Sequence, residues 1–394
     1  MSALSIQMNS DTFCVMPWVG LNITNQGFLT PCCAYQEPTR TPHFTVGEYD
    51  QWRSEYMLPL QQALLQGERP DCCNQCWKLE AQTHEYDVNL SERLIYNKIL
   101  GTHWIEQKNP PVKFISVAFG TTCNLKCNHC GPYSSSSWST EIKQNPKLLE
   151  FKPIWSDNPD WFEKPENISK LDEISGQLEH IRIIGGEPLF SPEALKYMSD
   201  LPAATKLDII TNATQLKPRA LEILSKFQEL RITVSIDGIQ DHAEYVRYPS
   251  RWADVEKNIL TLRSLPNVAY FGVNYVLQHY SRWTLIPTIN WCLEHEISLR
   301  VQPLLYHQYL GINSMEPQHC QQLIQELDQF VQQNKQRIFD IEKRIPFSYL
   351  VDSIKKMLQE QYHYSPAGQQ KFVEFHAVLD QVREQKFQDF FREK

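Results

Sequence analysis

The chain has 394 residues, a formal net charge of −8 at pH 7 and a hydrophobic fraction of 42%. This length suits two or three domains, or one barrel with smaller additions, and the hydrophobic fraction is enough to fill a large core. No long basic run offers a surface to nucleic-acid phosphates, and no apolar run approaches the ~20 residues that span a bilayer, so neither nucleic acid nor a membrane is an expected partner.

The first hundred residues predict little regular structure. We expect a small hairpin formed by 21–23 and 27–31, and helices over 56–65 and 90–100. The segment 1–12 lacks a charged start followed by an apolar core, so it is not a signal peptide, and we expect a cytoplasmic protein.

From residue 113 onward, strands and helices alternate. Short apolar segments predict strands over 114–119, 181–184, 207–211, 231–236, 270–277 and 298–304. Helical periodicity predicts helices over 192–200, 218–227, 252–265, 283–295 and 318–334. Strands that alternate with amphipathic helices imply βα units and a parallel sheet. We therefore predict an α/β fold, a partial (β/α)6 barrel with its catalytic groups at the carboxyl ends of the strands.

We predict that the chain has three parts. A small cysteine-rich domain occupies 1–105, and the barrel occupies 106–310. A helical extension over 311–394 packs against the rest of the protein. The barrel includes an insertion over 134–178, a region that carries Trp138, Trp155 and Trp161. Insertions of this length are usually functional lids or disordered.

The eleven cysteines are unevenly distributed, with nine of them in the first 130 residues. In a reducing cytosol, close-spaced cysteines are more often metal ligands than disulfides. Cys292 and Cys320 stand alone, and we interpret them as small buried apolar residues rather than as thiol hydrogen donors. His279, His307 and His363 follow no metal-binding spacing, and we expect them to be solvated.

Cys123, Cys127 and Cys130 follow the first strand of the predicted barrel with the spacing Cys-x3-Cys-x2-Cys. Three thiolates can hold three irons of a cubane cluster. Because clusters are usually held by four cysteines, the fourth iron would be open to another ligand. By itself, this spacing also fits a zinc site or chance.

Further motifs follow the next three strands. Glycines after the second strand would let the backbone approach a ligand closely, and the acidic residue beside them could bind an ammonium group. Alone, that segment could equally be a turn that caps a helix. The residues in question are Gly185, Gly186, Glu187 and Pro188 after the second strand, Asn212 after the third, and Ser235 and Asp237 at the end of the fourth.

In this order, each at the end of a strand, these motifs resemble the radical S-adenosylmethionine (SAM) superfamily over about 113–306. The resemblance implies a [4Fe-4S] cluster on the three cysteines, with SAM chelating its open iron. It also implies that the Gly-Gly-Glu-Pro segment contacts the SAM amino group, and that Ser235 and Asp237 hold its ribose or carboxylate. His129 departs from the aromatic residue that commonly precedes the third cysteine. Arg247 could face the SAM carboxylate or be an ordinary surface residue.

The resemblance further implies a reaction class. An electron, from an external donor such as flavodoxin or ferredoxin, cleaves SAM, and the 5′-deoxyadenosyl radical abstracts hydrogen from a substrate. We expect a peptide or protein residue as substrate, as in the maturation of ribosomally made peptides. One alternative is the same chemistry on a small metabolite. Another is a non-enzymatic iron–sulfur or zinc electron-transfer protein, which the intact Gly-Gly-Glu-Pro segment disfavours.

A second cysteine set lies near the N-terminus and consists of Cys14, Cys32, Cys73 and Cys76. By spacing alone, these four thiols fit zinc and an iron–sulfur cluster equally well. Their surroundings resemble the SPASM and twitch auxiliary-cluster domains: Pro17-Trp18 follows Cys14, Gly27 precedes Cys32 by five positions, and 67–70 has the sequence Gly-Glu-Arg-Pro. The resemblance implies the short twitch form with one auxiliary [4Fe-4S] cluster, in which the adjacent Cys33 and Cys72 are structural.

Overall fold

A computed structural model of the chain describes most of its residues. The described residues are 11–36, 43–82, 91–107, 109–153, 160–304, 306–342, 345 and 347–392. Residues 1–10 of the segment considered as a signal peptide, and Trp155 of the predicted insertion, lie outside them.

Each strand that the sequence predicts is present, with ends that differ by at most two residues. The strands are β1 (Gly20–Ile23), β2 (Leu29–Thr30), β3 (Phe114–Ala118), β4 (His180–Ile184), β5 (Lys206–Thr211), β6 (Leu230–Ser235), β7 (Val268–Leu277) and β8 (Ser298–Pro303). The first two form the predicted hairpin, and the other six are the strands assigned to the barrel.

Helices lie before β3, between the later strands and after β8. Before β3 lie α1 (Met16–Val19), α2 (Tyr49–Trp52), α3 (Leu58–Leu65), α4 (Asn74–Gln82) and α5 (Glu92–Leu100). Between β3 and β8 lie α6 (Ser136–Gln144), α7 (Pro165–Ile174), α8 (Pro192–Asp200), α9 (Pro218–Ser225), α10 (Gln240–Val246), α11 (Trp252–Arg263) and α12 (Ser281–Glu294). After β8 come α13 (Pro317–Gln333), α14 (Lys335–Ile341), α15 (Phe347–Glu360), α16 (Pro366–Arg383) and α17 (Phe387–Phe390).

The chain divides into two compact units, and the first consists of Met1–Gly120, Asp157–Gly185 and Pro202–Leu207. Its strands follow the order β2-β1-β3-β4, in which β1 and β2 are antiparallel and the other pairs are parallel. Trp161 of the predicted insertion is fully buried here, and its indole N–H donates to the Ala118 carbonyl over 3.0 Å. The insertion is thus structured at this point.

The second unit consists of Thr121–Ser156, Gly186–Leu201 and Asp208–Lys394. Its strands follow the order β5-β6-β7-β8, and the β6/β7 and β7/β8 pairs are parallel. A core of buried aromatic and aliphatic side chains joins α6, α10, α12 and α16, and includes Trp138, Ile142, Tyr245, Tyr280, Phe372, Phe375 and Leu379. The C-terminal extension packs against the rest of this unit, as predicted.

Parallel strands with intervening helices confirm the predicted α/β fold. The division into 1–105, 106–310 and 311–394 stays a prediction. Among the described helices, none combines the length and the apolar character that crossing a membrane requires.

Candidate functional site

The three cysteines of the predicted cluster motif lie together in the second unit. Cys123 and Cys127 are buried and pack with Leu125, and the half-buried Cys130 packs against them. The Cys127 and Cys130 thiols lie close enough to shift each other's pKa. The structure therefore brings the three predicted ligands to one place.

The serine run at the start of α6 holds this loop. The Ser135 hydroxyl donates to the Leu125 carbonyl over 2.6 Å, and the Ser137 hydroxyl donates to the Cys123 carbonyl over 2.7 Å. The Cys123 N–H donates to the Ser136 hydroxyl over 3.2 Å. The sequence offered only the serine run itself as a signal, and our sequence analysis did not assign it a role.

The donor set suits a metal cluster. Burial raises the pKa of the Cys123 thiol to about 12, and the Cys127 thiol acts in the same direction. A thiol with a raised pKa is a poor free nucleophile, but a metal ion deprotonates it outright. In the described ranges no group of three or more His, Cys, Asp or Glu side chains surrounds a position for a single metal ion. In a cubane, by contrast, each thiolate binds a different iron.

A buried ion pair lies beside the cysteines. The Asp237 carboxylate is fully buried, and its Oδ2 lies 2.7 Å from Arg247 Nε, while Oδ1 accepts from the Val276 N–H over 2.8 Å. Arg247 Nη1 lies 3.8 Å from Cys127 Sγ, and His129 Nε2 lies 3.6 Å from Asp237 Oδ2. A permanent guanidinium charge is thus placed against the thiols, which would stabilise their anionic, metal-binding form.

The turn after β4 requires its two glycines. Gly185 and Gly186 have φ values of +79° and +50°, and a Cβ on Gly186 would collide with the Thr122 carbonyl oxygen. The Glu187 N–H donates to that same carbonyl over 2.8 Å. Backbone of the Gly-Gly-Glu segment is therefore in direct contact with the segment that leads into the cysteine loop.

The Glu187 carboxylate is buried and ties neighbouring strand ends together. It accepts from the Leu189 N–H over 3.0 Å, from the Thr211 hydroxyl over 2.6 Å and from the Asn212 N–H over 2.6 Å. Burial raises its pKa, whereas the bonds from Thr211 and Asn212 lower it. A carboxylate has about four acceptor positions, so three donors leave about one for a ligand.

Asn212 belongs to a small polar network that the sequence analysis only partly found. Its side-chain amide donates to Asn124 Oδ1 over 3.1 Å, and Asn124 donates to the Thr214 hydroxyl over 2.8 Å. Asn124 directly follows the first cysteine of the motif, and that adjacency was the available signal.

A cleft opens between these groups. It has both polar and apolar walls. The residues that line it are Leu125, Asn212, Thr214, Ser235, Ile236, Ala243, Arg247, Ser250, Trp252 and Val255.

The second cysteine set lies in the first unit, and its thiols are close enough to influence one another. Cys14 and Cys76 are buried, and Cys73 interacts electrostatically with both Cys14 and Cys32. Burial raises the pKa of Cys14 to about 12, while a hydrogen bond from the Met16 backbone N–H lowers it. Backbone N–H groups of Ala34 and Arg93 likewise face Cys32 and Cys76. Such N–H groups favour thiolates that hold a metal.

An arginine that the sequence analysis missed braces this site. The Arg93 guanidinium bonds the Glu80 carboxylate through two N–H groups, at 2.9 and 2.5 Å, and donates to the Phe13 carbonyl over 2.8 Å. It also lies 5.1 Å from the Trp77 ring centroid. Arg93 thus connects the helix that carries Cys76 to the residue before Cys14. The Sγ of the exposed Cys33 lies 3.8 Å from Arg182 Nη1.

Comparison with known proteins finds a family that matches the site around Cys123, Cys127 and Cys130. Residues 117–292 match the family described as the Radical SAM superfamily. A GTP 3′,8-cyclase from Campylobacter lari is 27% identical over 137 residues, which are 34% of this chain and 37% of that protein. The chain therefore spans well under half the length of this curated relative.

Two solved structures are more distant. One is titled native anSMEcpe with bound AdoMet and Cp18Cys peptide, and it is 14% identical with a TM-score of 0.40. The matched region covers 65% of this chain and 68% of that chain. Streptococcus suis SuiB bound to precursor peptide SuiA is 15% identical with a TM-score of 0.38, and covers 80% and 69%. At these scores neither likeness bears on function.

The matched residues include the three cysteines, the Gly-Gly-Glu-Pro segment and the Asp237–Arg247 pair. This match confirms the predicted cofactors of the barrel, a [4Fe-4S] cluster and SAM. The match over 117–292 and the motifs within it identify a radical SAM domain in this chain.

Proposed function

We propose that this chain is an enzyme that reductively cleaves SAM and abstracts hydrogen from a substrate. The observation that carries the proposal is the gathering of Cys123, Cys127 and Cys130 beside Arg247, which also lines the cleft. The cluster and SAM supply the electron transfer and the 5′-deoxyadenosyl radical when they are bound.

The protein's own residues would bind the cluster and SAM and orient them. The three cysteines would hold the cluster, and Arg247 would offset negative charge on the thiolates and face the SAM carboxylate. The turn Gly185-Gly186-Glu187-Pro188 would accept the SAM amino group, through backbone carbonyls or the remaining acceptor position of Glu187. Asn212 and Ser235 line the cleft and could bond the nucleoside, whereas the buried Asp237 would act through Arg247.

Formation of 5′-deoxyadenosine tests this proposal. The reconstituted and reduced protein should form it from SAM, and the Cys123→Ala, Cys127→Ala and Cys130→Ala variants should not. Cys320→Ala, which removes a buried thiol elsewhere, is the matched control and should behave like the wild type. If the wild type holds iron but forms no 5′-deoxyadenosine, the electron-transfer alternative is correct instead.

We propose that the substrate is a peptide or protein residue. Two features support this class: the four-cysteine site that precedes the barrel, and the Ser-Ile-Asp-Gly segment at the end of β6, which is frequent in peptide-modifying members. Both arguments rest on analogy. The test is incubation of the reduced enzyme with peptides encoded by neighbouring genes, and a mass change in one of them is the expected result.

A small metabolite is the second candidate. The observation that favours it is the 27% identity over 137 residues to a GTP 3′,8-cyclase. In a parallel incubation with GTP or a metabolite extract, consumption of a small molecule without modification of any peptide would establish this alternative.

We propose that the N-terminal thiols Cys14, Cys32, Cys73 and Cys76 hold an auxiliary [4Fe-4S] cluster rather than zinc. Their mutual proximity and the N–H groups that face them support a cluster site. With Cys123, Cys127 and Cys130 all changed to Ala, about four irons and four sulfides should remain per chain. Zinc in their place would contradict the proposal.

An external donor such as flavodoxin or ferredoxin would deliver the electrons.

A further inference from the structure

Asn128, between the second and third cysteines of the motif, is fully buried and bonded at each of its polar atoms. Its backbone N–H donates to the Val246 carbonyl over 2.8 Å, and its side-chain amide donates to the Tyr280 hydroxyl over 3.0 Å. Its backbone carbonyl accepts from Lys152 Nζ, and its side-chain carbonyl accepts from Arg383 Nη1 over 2.9 Å. Four separate segments therefore meet at this one residue.

The Lys152 amino group lies in the interior, beside the loop that carries the cysteines. Its side chain is fully buried, and Nζ lies 5.1 to 5.9 Å from the ring centroids of Trp138, Tyr309 and Phe375. Burial of an ammonium is costly unless its charge is compensated. Burial lowers the pKa of the Lys152 ammonium well below its usual range, and the charge of Arg383 acts in the same direction. Negative charge at Cys130 and Cys127 acts against both, so thiolates that hold a cluster there would favour the ammonium form.

Arg383, near the end of α16, fastens the C-terminal extension to the same loop. Besides Asn128 it bonds the Lys126 carbonyl over 2.8 Å and Glu141 Oε2 over 3.0 Å. Glu141 in turn pairs with Lys126 Nζ at 2.7 Å. These contacts use several N–H groups of a planar fork, a geometry that a lysine cannot reproduce.

We propose that Asn128 is the point through which Lys152 and Arg383 position the loop that carries Cys127 and Cys130, and that Lys152 supplies a buried positive charge to the cluster held there. Lys152 and Arg383 are positioning residues, since neither is itself a ligand. The inference rests on the proposed function of the cysteines. It assigns the extension that contains Arg383 a role in the metal site as well as in packing.

Two expected effects distinguish the charge of Lys152 from the positioning of the loop by Arg383. Reduction adds negative charge to a cluster, so removing the Lys152 charge should make the cluster harder to reduce and its potential more negative. Removing the Arg383 fork should loosen the loop, and loss of such outer contacts typically weakens metal binding by about 10- to 100-fold.

The test uses the full-length reconstituted protein. Lys152→Met is compared with Lys147→Met, an exposed lysine five positions earlier, and Arg383→Met with Lys386→Met, an exposed lysine three positions later. Arg383→Lys keeps the charge without the fork. Each variant is checked for folding by circular dichroism. The readouts are the rate of iron loss to a chelator and the midpoint potential of the electron paramagnetic resonance signal that changes when SAM is added.

We expect a more negative potential for Lys152→Met, and about 10-fold or more faster iron loss from this cluster for Arg383→Met. Arg383→Lys should lose iron faster while its potential stays near that of the wild type. Both control variants should match the wild type. If Lys152→Met and Arg383→Lys fold and also match it, the inference is overturned. If the wild type itself shows no SAM-dependent signal, the proposed function fails instead, and the iron-loss comparison still decides whether Arg383 positions the loop.

Discussion

At the scale of single residues, the pair Asp237–Arg247 is central to the candidate site. The sequence left open whether Arg247 faces a ligand or lies on the surface. It is 8% exposed, and it bridges a fully buried carboxylate and the Cys127 thiol. Because a buried charge is stable only when it is paired, each member of this pair depends on the other.

We expect Arg247→Met to destabilise the cluster-free protein by about 3–5 kcal/mol, because Asp237 would keep a buried charge without its partner. Asp237→Asn in the same chain should restore much of the loss, since it removes that charge and keeps the carbonyl that accepts from Val276. Urea unfolding of the two variants and the wild type measures the difference. Equal stability of the single and double variants would contradict this account.

Two histidines show where reasoning about single residues was wrong. We expected His279 and His307 to be solvated, yet they are 6% and 9% exposed. His279 Nδ1 lies 2.9 Å from the Ser314 hydroxyl, and its ring stacks on Phe372 at 3.7 Å between centroids. The covering groups come from distant parts of the chain, so local sequence contained no sign of them. His363 is exposed, as expected.

At the scale of elements, the turn after β4 fixes the backbone beside the cysteine segment. Two successive glycines in the left-handed region bring the backbone against the Thr122 carbonyl. Glu187 then bonds the end of β5 through Thr211 and Asn212. The turn therefore sets the position of the cysteine segment and of the cleft-lining Asn212 together.

Gly186→Ala should displace both the cysteine segment and Asn212. A left-handed backbone costs a non-glycine residue about 1–2 kcal/mol, and the collision with Thr122 adds to this. A displacement of about 1 Å at a reacting site can lower rates by roughly 10²-fold, so we expect a loss of that order in 5′-deoxyadenosine formation. Gly176→Ala is the matched control, because a Cβ there meets nothing within 4 Å. A Gly186→Ala variant with wild-type activity would show that the turn tolerates displacement.

At the scale of the whole molecule, buried neutral histidines couple folding to pH. Burial lowers the pKa of His307 and of His376 to about 3, and it also lowers the pKa of His129 and His279. Unfolding exposes these rings and returns each pKa to about 6.5. Below pH 6.5 the unfolded chain therefore binds more protons than the folded chain, and stability falls as pH falls from about 6.5 toward 3.

For His376 alone, this loss approaches about 1.4 kcal/mol per pH unit well below pH 6.5, and it amounts to about 2 kcal/mol between pH 7.5 and pH 5. We expect His376→Gln to be less stable than the wild type at pH 7.5 but to lose less stability on acidification. His363→Gln, at an exposed position, should follow the wild-type pH dependence. Urea unfolding of the cluster-free protein at pH 7.5 and pH 5 measures the stability that each protein loses on acidification. An identical loss for the wild type and both variants would contradict the explanation.

The sequence alone determined the α/β fold, the positions of the strands and the motifs that match the radical SAM family. It could do so because strand and helix periodicity are local, and because two or three intervening residues keep Cys123, Cys127 and Cys130 on one loop. Only the tertiary structure decided that Arg247 pairs with Asp237, and that Lys152 and Arg383 meet at Asn128. Asn128 and Arg383 are 255 positions apart, and a contact across such a distance arises from the tertiary packing of the C-terminal helices in the second unit, which no local pattern records.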